Sequence, residues 1–139
     1  MPRTRVETRA RARVLQALYA WDLRGREPLD RVAAQIWDDL AVDADERRVA
    51  GPLVRELVQH RSELDAELVE VTTNWRLERL SVIDRSVLRL AAAELSRGET
   101  PPRVVIQEAV RLAERYGTVK SAKFVNGVID ALARRMGRI

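Results

Sequence analysis

Arg5, Arg9 and Arg13 recur at every fourth position of the opening segment, with Arg11 between the last two. On a helix this spacing stacks three guanidinium groups on one stripe, where like charges repel. A guanidinium pairs its planar fork with phosphate oxygens and stacks on bases, so the chemistry this stripe offers is polyanion binding. The competing reading is a solubilising helical face. Residues 1–13 hold five arginines and one acid, Glu7, the strongest local charge excess in the chain. Tyr19, farther along the same segment, is either a stacking surface or a packing ring.

A second candidate is KSAKFVNGV, 120–128. With Ser121 as the cap of a helix, Lys123 falls in its first turn and Lys120 just outside, two cations around bare helical N–H groups where an anion is favoured. Phe124 lies off the centre of the face made by Val125, Val128 and Leu132, so it is either an edge core residue or an exposed stacking platform. Asn126 and Gly127 carry a helix-propensity cost. Close helix packing is the plain explanation for Gly127.

Catalysis has little to work with. There is no cysteine and one histidine, His60, so neither a thiolate metal site nor a histidine cluster can form, and no Gly-rich phosphate loop occurs. His60 reads as an exposed residue of a polar helix face, and Asp38-Asp39 and Asp43-Asp45 as solvated helix-end charges. We expect no enzyme, no metal and no cofactor.

The elements that position these residues are helices. Of the 139 residues, 46% are hydrophobic and 33% charged, a globular balance with a net charge of +4 from an excess that is mostly arginine. Apolar residues recur at helical spacing almost throughout, and no segment alternates as a half-buried strand does. The first helix, capped by Thr4 or Thr8, runs to about 23 with Gly25 after it. A second spans about 29–40, and 42–44 make the connection to a long third helix that Gly51-Pro52 either begins or kinks. A short turn near Leu77 leads to a helix over about 82–96, apolar over most of its circumference and therefore central. Thr100 and Pro101 open the fifth helix, with Gln107 and Glu108 facing out and Gly117 at its end, and the last helix begins near Ser121. The expected fold is all-α, one compact domain of about seven helices in two packed three-helix halves, about 1–75 and 76–139. No apolar run is long enough to span a membrane and no signal peptide is visible, so a cytoplasmic protein is expected.

ARARVLQALYAWDL at 10–23, IDRSVLRLAAAELS at 83–96, VIQEAVRLAERYG at 105–117 and KFVNGVID at 123–130 together resemble the NusB family of transcription antitermination factors, in that family's order and spacing. The resemblance covers nearly the whole chain and is weakest between about 24 and 61. It implies a non-enzymatic role in transcription of ribosomal RNA operons. Its members bind boxA RNA of the nascent transcript with the ribosomal protein NusE, as part of an RNA polymerase antitermination complex.

Residue by residue, Arg9 and Arg11 match the family's arginine-rich start of the first helix. Phe124, with Lys123 beside it, matches the FVNG element near the RNA and NusE contacts. Tyr19 and Asp84 match positions used toward NusE, Asp84 standing for a frequent Glu. The RNA-binding set is thus Arg5, Arg9, Arg11, Arg13, Lys120, Lys123 and Phe124, and the NusE set Tyr19, Asp84 and Phe124. Glu7 and Thr8 replace further arginines of some relatives, while Lys120 stands where an acid can occur. Some family members are homodimers. Two alternatives stay open: a helical adaptor or homodimer without RNA binding, and a detached RNA-binding domain of a ribosomal RNA methyltransferase.

Overall fold

The computed structural model describes residues 5–72 and 76–139, with side chains from Val6 onward. Its elements are α1 (Arg5–Arg24), α2 (Leu29–Asp39), α3 (Ala44–Val71), a 3-10 turn (Leu77–Arg79), α4 (Val82–Arg97), α5 (Pro102–Tyr116) and α6 (Ser121–Arg135). No strand occurs among the described residues, as the periodicity requires. Trp75, the expected divide between the halves, and Thr4 lie outside the described residues.

Local chemistry sets the helix ends. α1 stops where Gly25 turns to φ 76°, its N–H bonded to the Trp21 carbonyl at 2.9 Å. α3 starts earlier than Gly51-Pro52 suggests, because Asp43 caps it: its carboxylate accepts the Glu46 N–H at 2.8 Å. Pro52 therefore lies inside a continuous helix and does not begin one. Ser81 caps α4 by accepting the Asp84 N–H at 3.1 Å, and Gly98 closes it at φ 71°. In α5 the cap is Pro101, one residue after the expected Thr100, and Pro102 takes the first helical position, where its missing N–H costs nothing.

α4 is the central helix. It packs against α1, α3, α5 and α6, and residues 86–95 are all buried. Its Leu88, Leu90 and Leu95 are among the most completely enclosed side chains, each worth about 1.5–3 kcal/mol of apolar transfer. Buried residues of all six helices join in one core, so α1–α3 and α4–α6 share an interior.

A polar seam fixes the orientation of α4. Arg85 donates to Asp22 of α1 at 2.7 Å, and Arg89 donates to Asp65 of α3 at 3.0 and 3.1 Å. Trp21 is flanked by the guanidinium groups of Arg61 and Arg89, 5.1 and 5.4 Å from its ring centre. Near its C-terminal end α4 meets the start of α1, so α4 runs antiparallel to α1, and α5 runs parallel to α1, with Thr8 beside Glu108 and Tyr19 beside Tyr116.

Candidate nucleic-acid interface

α1 buries Ala10, Val14, Ala17 and Leu18 completely, which leaves Arg9 and Arg13 at the border of that face. One carboxylate holds them both. Glu46, in the first turn of α3, accepts Arg9 Nε on one oxygen at 2.9 Å and Arg13 Nε on the other at 3.0 Å. The i,i+4 repulsion along the stripe is thereby offset from behind, and the two side chains stay 47% and 28% exposed. Two cations against one anion leave a surplus positive charge facing solvent. The side chain of Arg5 lies outside the described residues.

Arg11 departs from expectation. It is 4% exposed and points away from the other two, into the interior between α4 and α5. Its Nε and Nη2 donate to the two oxygens of Glu94 at 2.7 and 2.9 Å, and Nη1 donates to Glu108 at 3.1 Å. Burial by itself lowers its pKa, but the Glu94 hydrogen bond and the charges of Glu94, Glu108 and Glu7 outweigh this, and the net shift is upward. A guanidinium so enclosed reaches a phosphate only by abandoning a buried carboxylate, which costs about 3–5 kcal/mol. The expected phosphate contact is corrected: Arg11 is an internal ion-pair partner.

Glu108 is likewise corrected from outward-facing to buried. Besides Arg11 it accepts the Thr8 hydroxyl at 2.9 Å, and Arg111 lies 3.5 Å from its other oxygen. The cluster of Arg11, Arg111, Glu94 and Glu108 is formally neutral and ties α1 to α5 across α4.

This tie leaves a furrow between α1 and α5. A cavity of ≈ 290 Å³ is walled by Thr8, Arg9 and Arg13 of α1 and Arg111, Arg115 and Tyr116 of α5. It continues into a groove of ≈ 360 Å³ where Tyr19 meets Ile83 and Tyr116, with Ala12, Gln16 and Tyr116 common to both. Tyr19 is 40% exposed and Tyr116 42%, so both rings present a face to solvent. Asp84 lies in the first turn of α4, next to Ile83, and its Oδ1 is buried without a hydrogen-bond partner among the described residues. Sequence reasoning does not single out Arg111, Arg115 and Tyr116, although Arg111 and Arg115 have the same i,i+4 spacing as Arg9 and Arg13.

Lys120, Lys123 and Phe124 line a separate concavity of ≈ 630 Å³ with Val71, Val119, Gly127 and Val128. Ser121 is not the cap: Lys120 holds that position, and the buried Ser121 hydroxyl accepts the Thr118 N–H at 2.9 Å. Phe124 is half-buried against the core and keeps one side on the concavity. A Cβ at Gly127 would meet nothing within 4 Å, so packing inside this chain does not explain the glycine.

His60 faces solvent, 3.4 Å from Glu63, with no further partner among the described residues to orient it. No group of His, Cys, Asp and Glu among the described residues is arranged to hold a metal ion, and no described helix is long and apolar enough to cross a membrane.

Known proteins resemble this chain over most of its length. The chain is 45% identical over 127 residues to the transcription antitermination protein NusB of Anaeromyxobacter dehalogenans (strain 2CP-1), covering 91% of this chain and 89% of that one. It is 41% identical over 132 residues to the NusB of Solibacter usitatus, covering 92% and 88%. The structure of T. maritima NusB superposes with a TM-score of 0.86 at 37% identity, covering 92% and 90% of the two chains. A crystal structure of antitermination factors NusB and NusE in complex with dsRNA gives 0.86 at 30% identity, covering 96% and 99%. The model of the NusB family matches residues 8–134, from the first turns of α1 to the last turn of α6, and the chain belongs to that family.

Proposed function

We propose that this chain is a non-catalytic transcription antitermination factor of the cytoplasm that binds boxA RNA of nascent ribosomal RNA transcripts together with the ribosomal protein NusE. The observation that carries the reading is the pair Arg9 and Arg13, turned to solvent and held by Glu46, in a chain that aligns from end to end with a NusB solved with NusE and RNA. Arg5, Arg9, Arg13, Lys120, Lys123 and Phe124 meet the RNA, the arginines and lysines through phosphate and Phe124 through a base face. Tyr19, Asp84 and Phe124 face NusE. Arg11 leaves the RNA set and acts by fixing α1 to α4 and α5.

The test is a fluorescence-anisotropy titration of boxA RNA and a scrambled control at two salt concentrations, with and without NusE. Preferential boxA binding that tightens with NusE is expected. Binding of NusE without affinity for either RNA would make the chain a helical adaptor.

A further inference from the structure

The furrow between α1 and α5 holds two cations that the N-terminal arginines do not account for. Arg111 and Arg115 stand one helical turn apart on α5, opposite Arg9 and Arg13, which stand one turn apart on α1. Because α1 and α5 run parallel, the pairs form two rails, and within each rail the two arginines start about 6 Å apart along the helix axis. Among the described residues, no carboxylate lines the furrow. Glu46 lies behind the α1 rail, and Glu108 behind the α5 rail is already engaged by Thr8 and Arg11. Arg115 has no carboxylate within ion-pair distance among the described residues, and its guanidinium lies 5.5 Å from the centre of the Tyr116 ring. Arg111 is 67% exposed, so its contact with Glu108 leaves most of its donors open.

We infer that Arg111 and Arg115 complete a two-rail cradle for the sugar-phosphate backbone of a single RNA strand, which passes from the arginine end of the furrow toward Tyr116. This rests on the RNA-binding reading above and adds α5 to it. Guanidinium forks on both walls suit a phosphodiester chain, which presents oxygens on both sides. A single strand fits because the furrow ends at the half-exposed ring of Tyr116, where an unpaired base can stack while bases within a duplex are already stacked.

The experiment compares the wild-type chain, Arg115→Gln and the double variant Arg111→Gln/Arg115→Gln in anisotropy titrations of single-stranded boxA RNA, a scrambled strand of equal length and a boxA duplex at three salt concentrations, with and without NusE, and measures NusE binding to each protein by calorimetric titration. Removing one arginine–phosphate pairing lowers the single-strand salt slope by about 0.7, so the double variant should show a slope smaller by about 1.4. The decrease should be equal on the scrambled strand, because phosphate pairing carries no sequence information, and smaller on the duplex. Unchanged slope and affinity in the double variant while the wild type binds overturns the cradle and leaves the RNA reading intact. A larger decrease on the duplex overturns the single-strand assignment. Loss of NusE binding with RNA binding unaltered makes the furrow a protein seat and also overturns it. A wild-type chain that binds no RNA, with or without NusE, overturns the underlying reading and the cradle with it. Should the double variant fail to fold, Arg115→Gln decides, since among the described residues that side chain has no carboxylate partner to lose, only the contact with the Tyr116 ring.

Discussion

Arg11 and Glu94 meet inside the protein through two parallel hydrogen bonds of 2.7 and 2.9 Å, each residue about 5% exposed. They join the first turns of α1 to the last turns of α4. The pair separates the arginines of α1 into those that face out and the one that holds the helix down.

Arg11→Ala should lower the free energy of unfolding by about 3–5 kcal/mol, because it strands Glu94 in the interior. Urea denaturation measures this directly. Arg11→Met with Glu94→Leu should recover much of the loss. In neither variant should the folded protein change the salt slope of RNA binding, and a lower slope would return Arg11 to the phosphate-binding set.

The pair is no pH switch near neutrality. The Arg11 pKa is raised in the folded state, so its stabilisation is complete below the ordinary arginine pKa and is lost only as pH rises through the still higher folded value, in strong alkali. Between neutral pH and mild alkali, thermal scans of the wild type and Arg11→Met/Glu94→Leu should keep a constant separation in midpoint.

Arg9→Ala and Arg13→Ala should each lower the single-strand salt slope by about 0.7. Stability should fall little, because each leaves Glu46 with one arginine. Removing both leaves Glu46, only 6% exposed, without an arginine partner, so Arg9→Ala/Arg13→Ala should lose more stability than the single variants added together. A thermal-melt cycle of the four proteins tests the coupling.

Asp84→Lys should weaken NusE association about tenfold or more by reversing a charge at the proposed contact. The fold should survive, at a cost of about 0.3–1 kcal/mol, since a cation replaces an anion at the N-terminus of α4. Calorimetric titration with NusE, beside a thermal melt, separates the two effects. A collapse of the melt would assign Asp84 to the fold.

Gly127→Ala should raise stability by about 0.5–1 kcal/mol, because the position is helical and the added methyl meets nothing. The same methyl enters the concavity beside Phe124, so affinity for the RNA–NusE pair should fall severalfold. Unchanged affinity would show that no partner approaches α6 closely at this point.

Spacing is a better guide than residue type along this chain. The central place of α4 is legible in its nearly unbroken apolar run, and the ends of α1 and α4 in Gly25 and Gly98. Glu108 misleads because it is charged, although it shares a helical face with Val105, Ala109 and Leu112, all buried. Glu94 has the same character, a carboxylate within an apolar helix. The two together announce a buried cation, but which arginine answers them depends on how α1, α4 and α5 cross. The start of α3 is obscured because Gly51-Pro52 is the more conspicuous signal, while the cap at Asp43 lies a full two turns earlier. The furrow is not legible at all, because its rails lie about a hundred residues apart in sequence.

The position of α4 at the centre also sets an order in time. A ribosome releases α1 and α3 before the helix that packs against both of them, and the hydrogen-bond partners of Arg11 follow it by 83 and 97 residues. Until they emerge, α1 can form as a helix but has nowhere to lodge its buried arginine. The first segment to be synthesised is therefore among the last to settle, and the proposed RNA-binding surface becomes rigid only when nearly the whole chain has been made.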